Sequence, residues 1–400
     1  MRIVAINQFY APDSAATAQL LTQLCEDLVR AGDEVTVVCS RQHYRQTAQR
    51  PAHDCIGGVE VVRVASAGLG RAALLPRLLN DTHFLFAALA EVMVTRRPDV
   101  VLALSSPPML AAAVAAATGL RGIPLVCWVH DVYPDIAQAL GVLSPRLTMR
   151  LRMLMRRALA RATRVVALSE GMATQLRGYQ LAAAKLQVIP NWADGEAIVP
   201  QSQRDSALVK QLGLQHRFVV MYSGTLGRAH EADTFIEAAR LLRRSCPKVL
   251  FLFSAEGARV ARAKRRAAGL SNVRWVGAAP AGQLSRHLAA AHVHLASLQA
   301  VAEGWVVPSK LYGVMAAGRP LIYVGPTGCE VARVLRGEGV GWVVAPGEAE
   351  QLAARIAVLA ADRALVTRCG EAARALFETR YHRHLATERW RRLLLQAAAG

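Results

Sequence analysis

The sequence predicts an α/β protein made of two consecutive doubly wound domains, each with a parallel sheet. Three observations carry that expectation. Short apolar runs recur along the whole chain (Arg2–Asn7, Glu34–Cys39, Val59–Val64, Asp99–Leu104, Leu125–Val129, Phe218–Tyr222, Val249–Phe253, Leu321–Val324), with segments of helical length between most of them. That spacing implies βαβ units, hence parallel pairing with right-handed crossovers. The 400 residues, 53% of them hydrophobic, suffice for two domains with their own cores. The series of strands also restarts after a polar, proline-containing stretch near 191–200.

Taken in order, the expected organisation is a first domain at 1–190, a hinge at 191–200 (Asn191 to Gly195 opening it) and a second domain at 201–378. A terminal helix in 379–400 would return to the first domain. Two such halves imply that they face one another across a ligand cleft, because open α/β sheets bind at the carboxyl ends of their strands. Arg2–Asn7 reads as a buried strand, not a signal peptide, since no apolar run follows a basic start. The most apolar stretch considered as a membrane span, Phe84–Val94, is too short and carries Glu91.

Lys and Arg total 48 against 29 Asp and Glu, a net charge of +19, and 43 of the 48 cations are Arg. A basic chain seeks nucleic acid, an anionic membrane or phosphorylated ligands. The usual nucleic-acid modules are not found, and aromatics at 6% offer little for base stacking, so no nucleic acid is expected. Two segments are candidates for the inner surface of a membrane. Residues 71–97 have basic ends and an apolar middle, and 144–164 carries seven Arg (its 146–164 face). Each reads equally as a packed or solvated helix. The seven cysteines are scattered, odd in number and without a CxxC pair, which suits reduced thiols in a cytoplasmic protein.

The residues that carry chemistry fall at expected strand ends. After the first strand, the loop Gln8–Thr17 holds Tyr10 and the small residues Ser14, Ala15 and Ala16, which allow close approach of a substrate. His130 and Asp131, with Asp135 nearby in HDVYPD, stand at the end of the run Leu125–Val129. In the second half the loop after Phe218–Tyr222 offers Gly224, Thr225, Gly227, Arg228 and His230, and the next strand tip offers Glu256. Glu303 and Gly304 precede Pro308, Ser309, Lys310 and Leu311, which open a short helix stopped by Gly318–Arg319–Pro320. Its first turn, with Lys310, would seat a diphosphate.

Together these stretches resemble the retaining GT-B glycosyltransferases of family 4. QFYAPDSAATAQLLTQLCEDLVRAGDEVTVVCS is similar to that family's opening βαβ, VIPNWAD to its hinge, and YSGTLGRAHEADTFIEAARLL to the start of its donor domain. PSKLYGVMAAGRP resembles the donor-site helix of the branch that builds bacterial exopolysaccharide and O-antigen chains, including N-acetyl-fucosaminyl and colanic-acid transferases. The resemblance implies two Rossmann-like domains, a UDP- or GDP-sugar held by the second, and an acceptor, such as a polyprenyl-diphosphate-linked glycan, held by the first. It implies transfer with retention, no metal and no further cofactor; in keeping with this, the chain has no D-x-D motif. It also implies a peripheral location on the inner face of the cytoplasmic membrane. On this register Glu303 reaches the donor sugar, while His130 and Asp131 orient the sugar or the acceptor hydroxyl.

The chain departs from the family pattern at named positions. Thr225 and His230 stand where an Arg and a Lys are usual. Gly313 falls where the ribose-binding acid is expected and Trp305 at its partner acid. Ala15–Ala16 replace a glycine pair. Two other readings of the same fold are a non-catalytic subunit anchoring a partner transferase and a nucleotide-sugar 2-epimerase, the latter needing more acids than are visible here.

Overall fold

In the computed structural model the described residues are 1–43, 50–65, 74–279 and 282–400. The chain divides into two compact units. The first contains Met1–Asn191, Gly304–Val306 and His384–Gly400; the second contains Trp192–Glu303 and Val307–Arg383.

The first unit runs β1 (Arg2–Ile6), α1 (Ala16–Arg30), β2 (Glu34–Ser40), β3 (His53–Ile56), β4 (Val59–Val64), α2 (Leu74–Val94), β5 (Val100–Leu104), α3 (Leu110–Arg121), β6 (Leu125–Trp128), α4 (Asp135–Ala139), α5 (Pro145–Arg161), β7 (Arg164–Ala167), α6 (Glu170–Arg177) and β8 (Leu186–Val188). Its eight-stranded sheet has the order β3-β4-β2-β1-β5-β6-β7-β8. All pairings are parallel except β3 with β4. The central strands are buried on both faces, which is why they read as unbroken apolar runs. The sequence reading missed β3 because HDCI is an exposed edge strand with no apolar alternation.

The second unit follows with α7 (Ala207–Gln211), β9 (Phe218–Thr225), α8 (Asp233–Ser245), β10 (Val249–Glu256), α9 (Val260–Arg266), β11 (Val273–Val276), α10 (Leu284–Leu288), β12 (Val293–Ser297), α11 (Lys310–Ala316), β13 (Leu321–Val324), α12 (Glu330–Glu338), β14 (Gly341–Val344), α13 (Ala349–Ala361) and α14 (Arg363–Arg380). Its six strands are all parallel, in the order β11-β10-β9-β12-β13-β14. Phe218, Tyr222, Phe235, Phe251 and Phe253 fill one side of this sheet.

The last helix, α15 (Arg383–Ala399), lies almost wholly in the first unit. Its Trp390 is fully buried, with its ring 4.5 Å from that of Trp128 on β6. Arg391 on the same helix bonds Asp33 at 2.8 Å. Segment 304–306 joins the first unit by main-chain pairing: Asp131 and Val306 form an antiparallel bridge, and Val132 N–H donates to the Trp305 carbonyl at 2.9 Å. The sequence carried no sign of that crossing.

Several boundaries move. The basic helix starts at Pro145, with the Ser144 hydroxyl accepting Leu147 N–H as its cap, and stops at Arg161. The helix expected over 71–97 is described from Leu74 to Val94, positions 71–73 lying outside the described residues.

Candidate functional site

In the second unit the carboxyl ends of β9 and β10 lie side by side, Thr225 in register with Glu256. The chain then turns through 226–230 to reach α8. That turn is tied down from several sides. Leu226 N–H donates to the Glu256 carbonyl at 2.6 Å, and Arg259 N–H to the Leu226 carbonyl at 3.1 Å. The Gln299 amide donates to the carbonyls of Arg228 (3.0 Å) and His230 (3.1 Å). Gly257, at φ +121°, permits this packing; a Cβ there would stand 2.8 Å from the Leu226 carbonyl oxygen.

Lys310 reaches this loop from the start of α11. Its ammonium donates to the Thr225 carbonyl at 3.0 Å and sits 4.7 Å over the Tyr222 ring. The Tyr222 hydroxyl donates to the same carbonyl at 2.8 Å. Gly224 has φ +109°, and a Cβ on it would be 3.3 Å from Lys310 Cε, so the bare backbone makes room for the lysine stem. Burial pushes Lys310 down to about 7. His230 is pushed down to about 3, by burial first and then by the charge of Lys310. Its Nδ1 accepts Gly227 N–H at 3.1 Å, so the neutral ring carries its proton on Nε2, a donor.

The structure thus brings Gly224, Thr225, Gly227, His230, Glu256 and Lys310 around one loop, with Arg228 exposed on it. Other details differ from the expectation. The N–H groups of Leu226 and Gly227 are used within the loop, donating to the Glu256 carbonyl and to His230 Nδ1. Ser309, the residue before α11, has helical backbone angles and its side chain caps nothing; α11 has seven residues, so the charge comes from Lys310 more than from a helix dipole. Pro308 and Leu311 are buried, and Leu311 is a core side chain. Gly313 points its missing Cβ at Ile198 and Leu288, 3.9 and 4.0 Å away, an apolar surrounding unsuited to a ribose-binding acid. Trp305, read as the partner acid's position, belongs to the first unit. Glu303 lies at a different loop of the second unit, with a carboxylate oxygen 2.7 Å from where a Cβ on Gly328 would stand.

In the first unit His130 and Asp131 follow β6 as expected. The Ser105 hydroxyl, after β5, accepts the N–H of both, at 2.9 and 3.2 Å. The sequence reading passed over Ser105, although its place at a buried strand end beside β6 is the signal that points to it. The His130 ring lies 4.7 Å from Trp128, is only 7% exposed, and its Nε2 has no hydrogen-bond partner among the described residues. Burial pushes His130 down to about 3, so it is neutral, and Asp131 up to about 6. Asp135 is structural: it is buried, bonded by the Tyr179 hydroxyl and paired with Arg152 at 3.2 Å.

The loop after β1 splits. Ser14 and Ala16 are exposed and Ala15 half-buried at the start of α1, whose first turn has neither a side-chain cap nor an acid. Tyr10, by contrast, is buried at 1% exposure, and burial raises its pKa, so its ring belongs to the core and not to an acceptor surface. The loop is held by Arg50, which bonds both Asp13 oxygens at 3.1 and 3.0 Å and the Tyr10 carbonyl at 3.3 Å.

Among the described residues no three His, Cys, Asp or Glu side chains form a metal-holding group, and no helix is long and apolar enough to cross a membrane. On α5, Arg146, Arg150, Arg156 and Arg157 are exposed together with Leu147, Met149, Met153 and Leu154.

Known proteins bear on this arrangement. A model described as Glycosyltransferase Family 4 matches residues 17–196, and one described as Glycosyl transferases group 1 matches 217–362. The chain is 29% identical over 262 residues to WbjE of Pseudomonas aeruginosa, named a probable glycosyltransferase; the match covers 64% of this chain and 65% of that one. It is 24% identical over 374 residues to WcaI of Escherichia coli (strain K12), provisionally named a colanic acid biosynthesis glycosyl transferase, covering 89% and 91%. Anabaena Alr3699/HepE, solved in complex with UDP-glucose, superposes with a TM-score of 0.73 at 18% identity, over 99% of this chain and 100% of that one.

Proposed function

We propose, for a chain that belongs to the family-4 glycosyltransferases of GT-B fold, that it moves a sugar from a UDP- or GDP-sugar to a lipid-linked or growing polysaccharide acceptor, with retention. The observation that carries the reading is Lys310, a half-buried ammonium fixed against the bare backbone of Gly224 at a strand end of the second unit. A half-desolvated cation with one carbonyl partner is well suited to a diphosphate. The HepE complex, which contains UDP-glucose, and WcaI, named for colanic acid, support the donor class and the polysaccharide setting.

In this reading Lys310 and Arg228 neutralise the leaving diphosphate and His230 donates its Nε2–H to it, without a metal. As the bond from the anomeric carbon to the phosphate oxygen breaks, the sugar becomes oxocarbenium-like. The acceptor oxygen bonds to that carbon on the same face, and its proton passes to the departing phosphate oxygen. Neutral His130 and Asp131 orient the sugar or the acceptor hydroxyl, Glu303 holds the sugar, and the exposed start of α1 at Ser14, Ala15 and Ala16 is the acceptor side. The Arg-rich α5 holds the protein at the inner face of the membrane, where polyprenyl-diphosphate-linked glycans reside; nucleic acid is not a partner.

The test is transfer itself. UDP- and GDP-sugars are offered with a polyprenyl-diphosphate-linked saccharide in vesicles, and the product's anomeric configuration is read by NMR. The expected product keeps the donor's configuration, and Lys310→Ala slows its formation. Nucleotide binding without any transfer would instead favour the non-catalytic subunit.

A further inference from the structure

The second unit's strand order, β11-β10-β9-β12-β13-β14, is 3-2-1-4-5-6 when its strands are numbered from β9. In parallel sheets of that order the turn after strand 1 takes phosphate, and an acid at the tip of strand 2 takes the hydroxyls of the adjoining ribose. The first half of that pattern stands in the loop after β9, with Lys310 against it. The second half stands in Glu256, the last residue of β10, which is half-exposed. The six strands of this sheet hold no other Asp or Glu.

The backbone of Glu256 is fixed to the phosphate loop. Glu256 is in register with Thr225 on β9, and its carbonyl accepts Leu226 N–H at 2.6 Å. Gly257, next in the chain, lies against Leu226. Side chains alternate along β10: Phe251 and Phe253 join the core on one face, Leu250 and Leu252 that on the other. Glu256 falls with Leu250 and Leu252, on the face covered by Ala290 and Ala291 at the end of α10. Leu288 of α10 in turn meets α11 at Gly313. Two rivals for the role of ribose acid drop out. Helix α11, KLYGVMA, has no acid, and Glu231 is spent on the start of α8, where its carboxylate accepts Thr234 N–H at 2.8 Å.

We propose that Glu256 binds the ribose of the donor nucleotide, its carboxylate accepting hydrogen bonds from the 2′- and 3′-hydroxyls. The chemistry fits the place. An ionised carboxylate is acceptor-only, with two oxygens for the two donors of a vicinal diol. It also sets the direction in which the nucleotide lies. A carboxylate repels phosphate while Lys310 attracts it, so the diphosphate sits at Gly224 and Lys310 and the ribose over the tip of β10. The site then selects ribonucleotides over deoxyribonucleotides, whichever base they carry. The inference rests on the donor reading of the Lys310 loop and adds the nucleoside side of that site.

The experiment is calorimetric titration of the full chain with UDP, its 2′-deoxy and 3′-deoxy forms, the matching GDP set, and inorganic pyrophosphate. The wild-type chain is expected to bind each deoxynucleotide roughly tenfold or more weakly than its parent, the size of one hydrogen bond to a charged group. Glu256→Ala is expected to weaken the parent nucleotide by a similar factor and to bind the deoxy forms about as well as the parent. It should keep pyrophosphate binding, which shows that the phosphate loop is intact. Equal wild-type affinity for the parent and both deoxy forms would overturn the ribose assignment, whatever the variant does. So would a Glu256→Ala chain that still discriminates against the deoxy forms. A variant that binds pyrophosphate more tightly and the parent nucleotide no worse would also overturn it, since Glu256 would then act only as a charge beside the phosphates. Failure of the wild-type chain to bind any of the nucleotides would remove the donor reading itself, and this inference with it.

Discussion

At Lys310 a cation is held where water only partly reaches it, between the Thr225 carbonyl and the face of Tyr222. Two outcomes are expected from that environment. Lys310→Ala should weaken UDP or GDP binding by about 1.5–3 kcal/mol, the range of a hydrogen bond to a charged group. The free lysine is pushed down to about 7, whereas a bound dianion favours the ammonium and raises it again. Binding therefore takes up a proton above about pH 7, and affinity should fall as pH rises, by at most tenfold per unit. Below that pH the lysine is already charged and adds no slope. Calorimetric titration from pH 6 to 9 checks this, with Lys310→Ala as the reference; an identical pH profile in the variant would remove Lys310 from the site. Lys310 and His130 were legible in the sequence because each stands next to a strong local signal, a helix start or a buried strand. Gln299, Arg259 and Ser105 were not, since their roles come from partners far away in the chain. Tyr10 was misread for the same reason: the burial of an aromatic in a loop is settled by the elements packed around it.

At the scale of elements, the loop after β1 owes its shape to a buried ion pair. Arg50 and Asp13 are each under a tenth exposed, and the guanidinium also bonds the Tyr10 carbonyl and the His43 ring. Removing one partner leaves the other charge buried, so Asp13→Ala should cost about 3–5 kcal/mol in urea unfolding of the first unit. A loss under about 1 kcal/mol would show that the pair is solvated. Helix α5 poses the opposite case. Its cap, Ser144 with Pro145 behind it, was readable, and so was its Arg content; that Arg152 would be spent on Asp135 was not. Changing Arg146, Arg150, Arg156 and Arg157 to Gln should release protein from anionic vesicles at low salt. Unchanged vesicle binding would assign the membrane seat to α2 alone.

At the scale of the molecule, the two-domain α/β organisation was legible because parallel strands buried on both faces write themselves as apolar runs. What crosses between the halves of the sequence was less so. The register built back from Gly318–Arg319–Pro320 put an acid's role on Trp305, yet 304–306 pairs with 131–132 in the first unit, a connection with no local signature. The last helix contributes Trp390 to the first unit's core, against Trp128, whose ring in turn lies beside His130. Trp390→Ala should therefore destabilise that unit by about 3–5 kcal/mol, seen as a lower urea midpoint. An unchanged midpoint would mean that the first unit's stability does not depend on α15.

The most direct measurement of the central claim is calorimetric titration of the full chain with UDP, GDP and CMP, with and without a chelator. Selective binding of UDP or GDP that survives the chelator and is lost with Lys310→Ala is the expected result. Binding that requires a divalent cation, or no binding to any of the three nucleotides, would contradict a donor site built on Lys310.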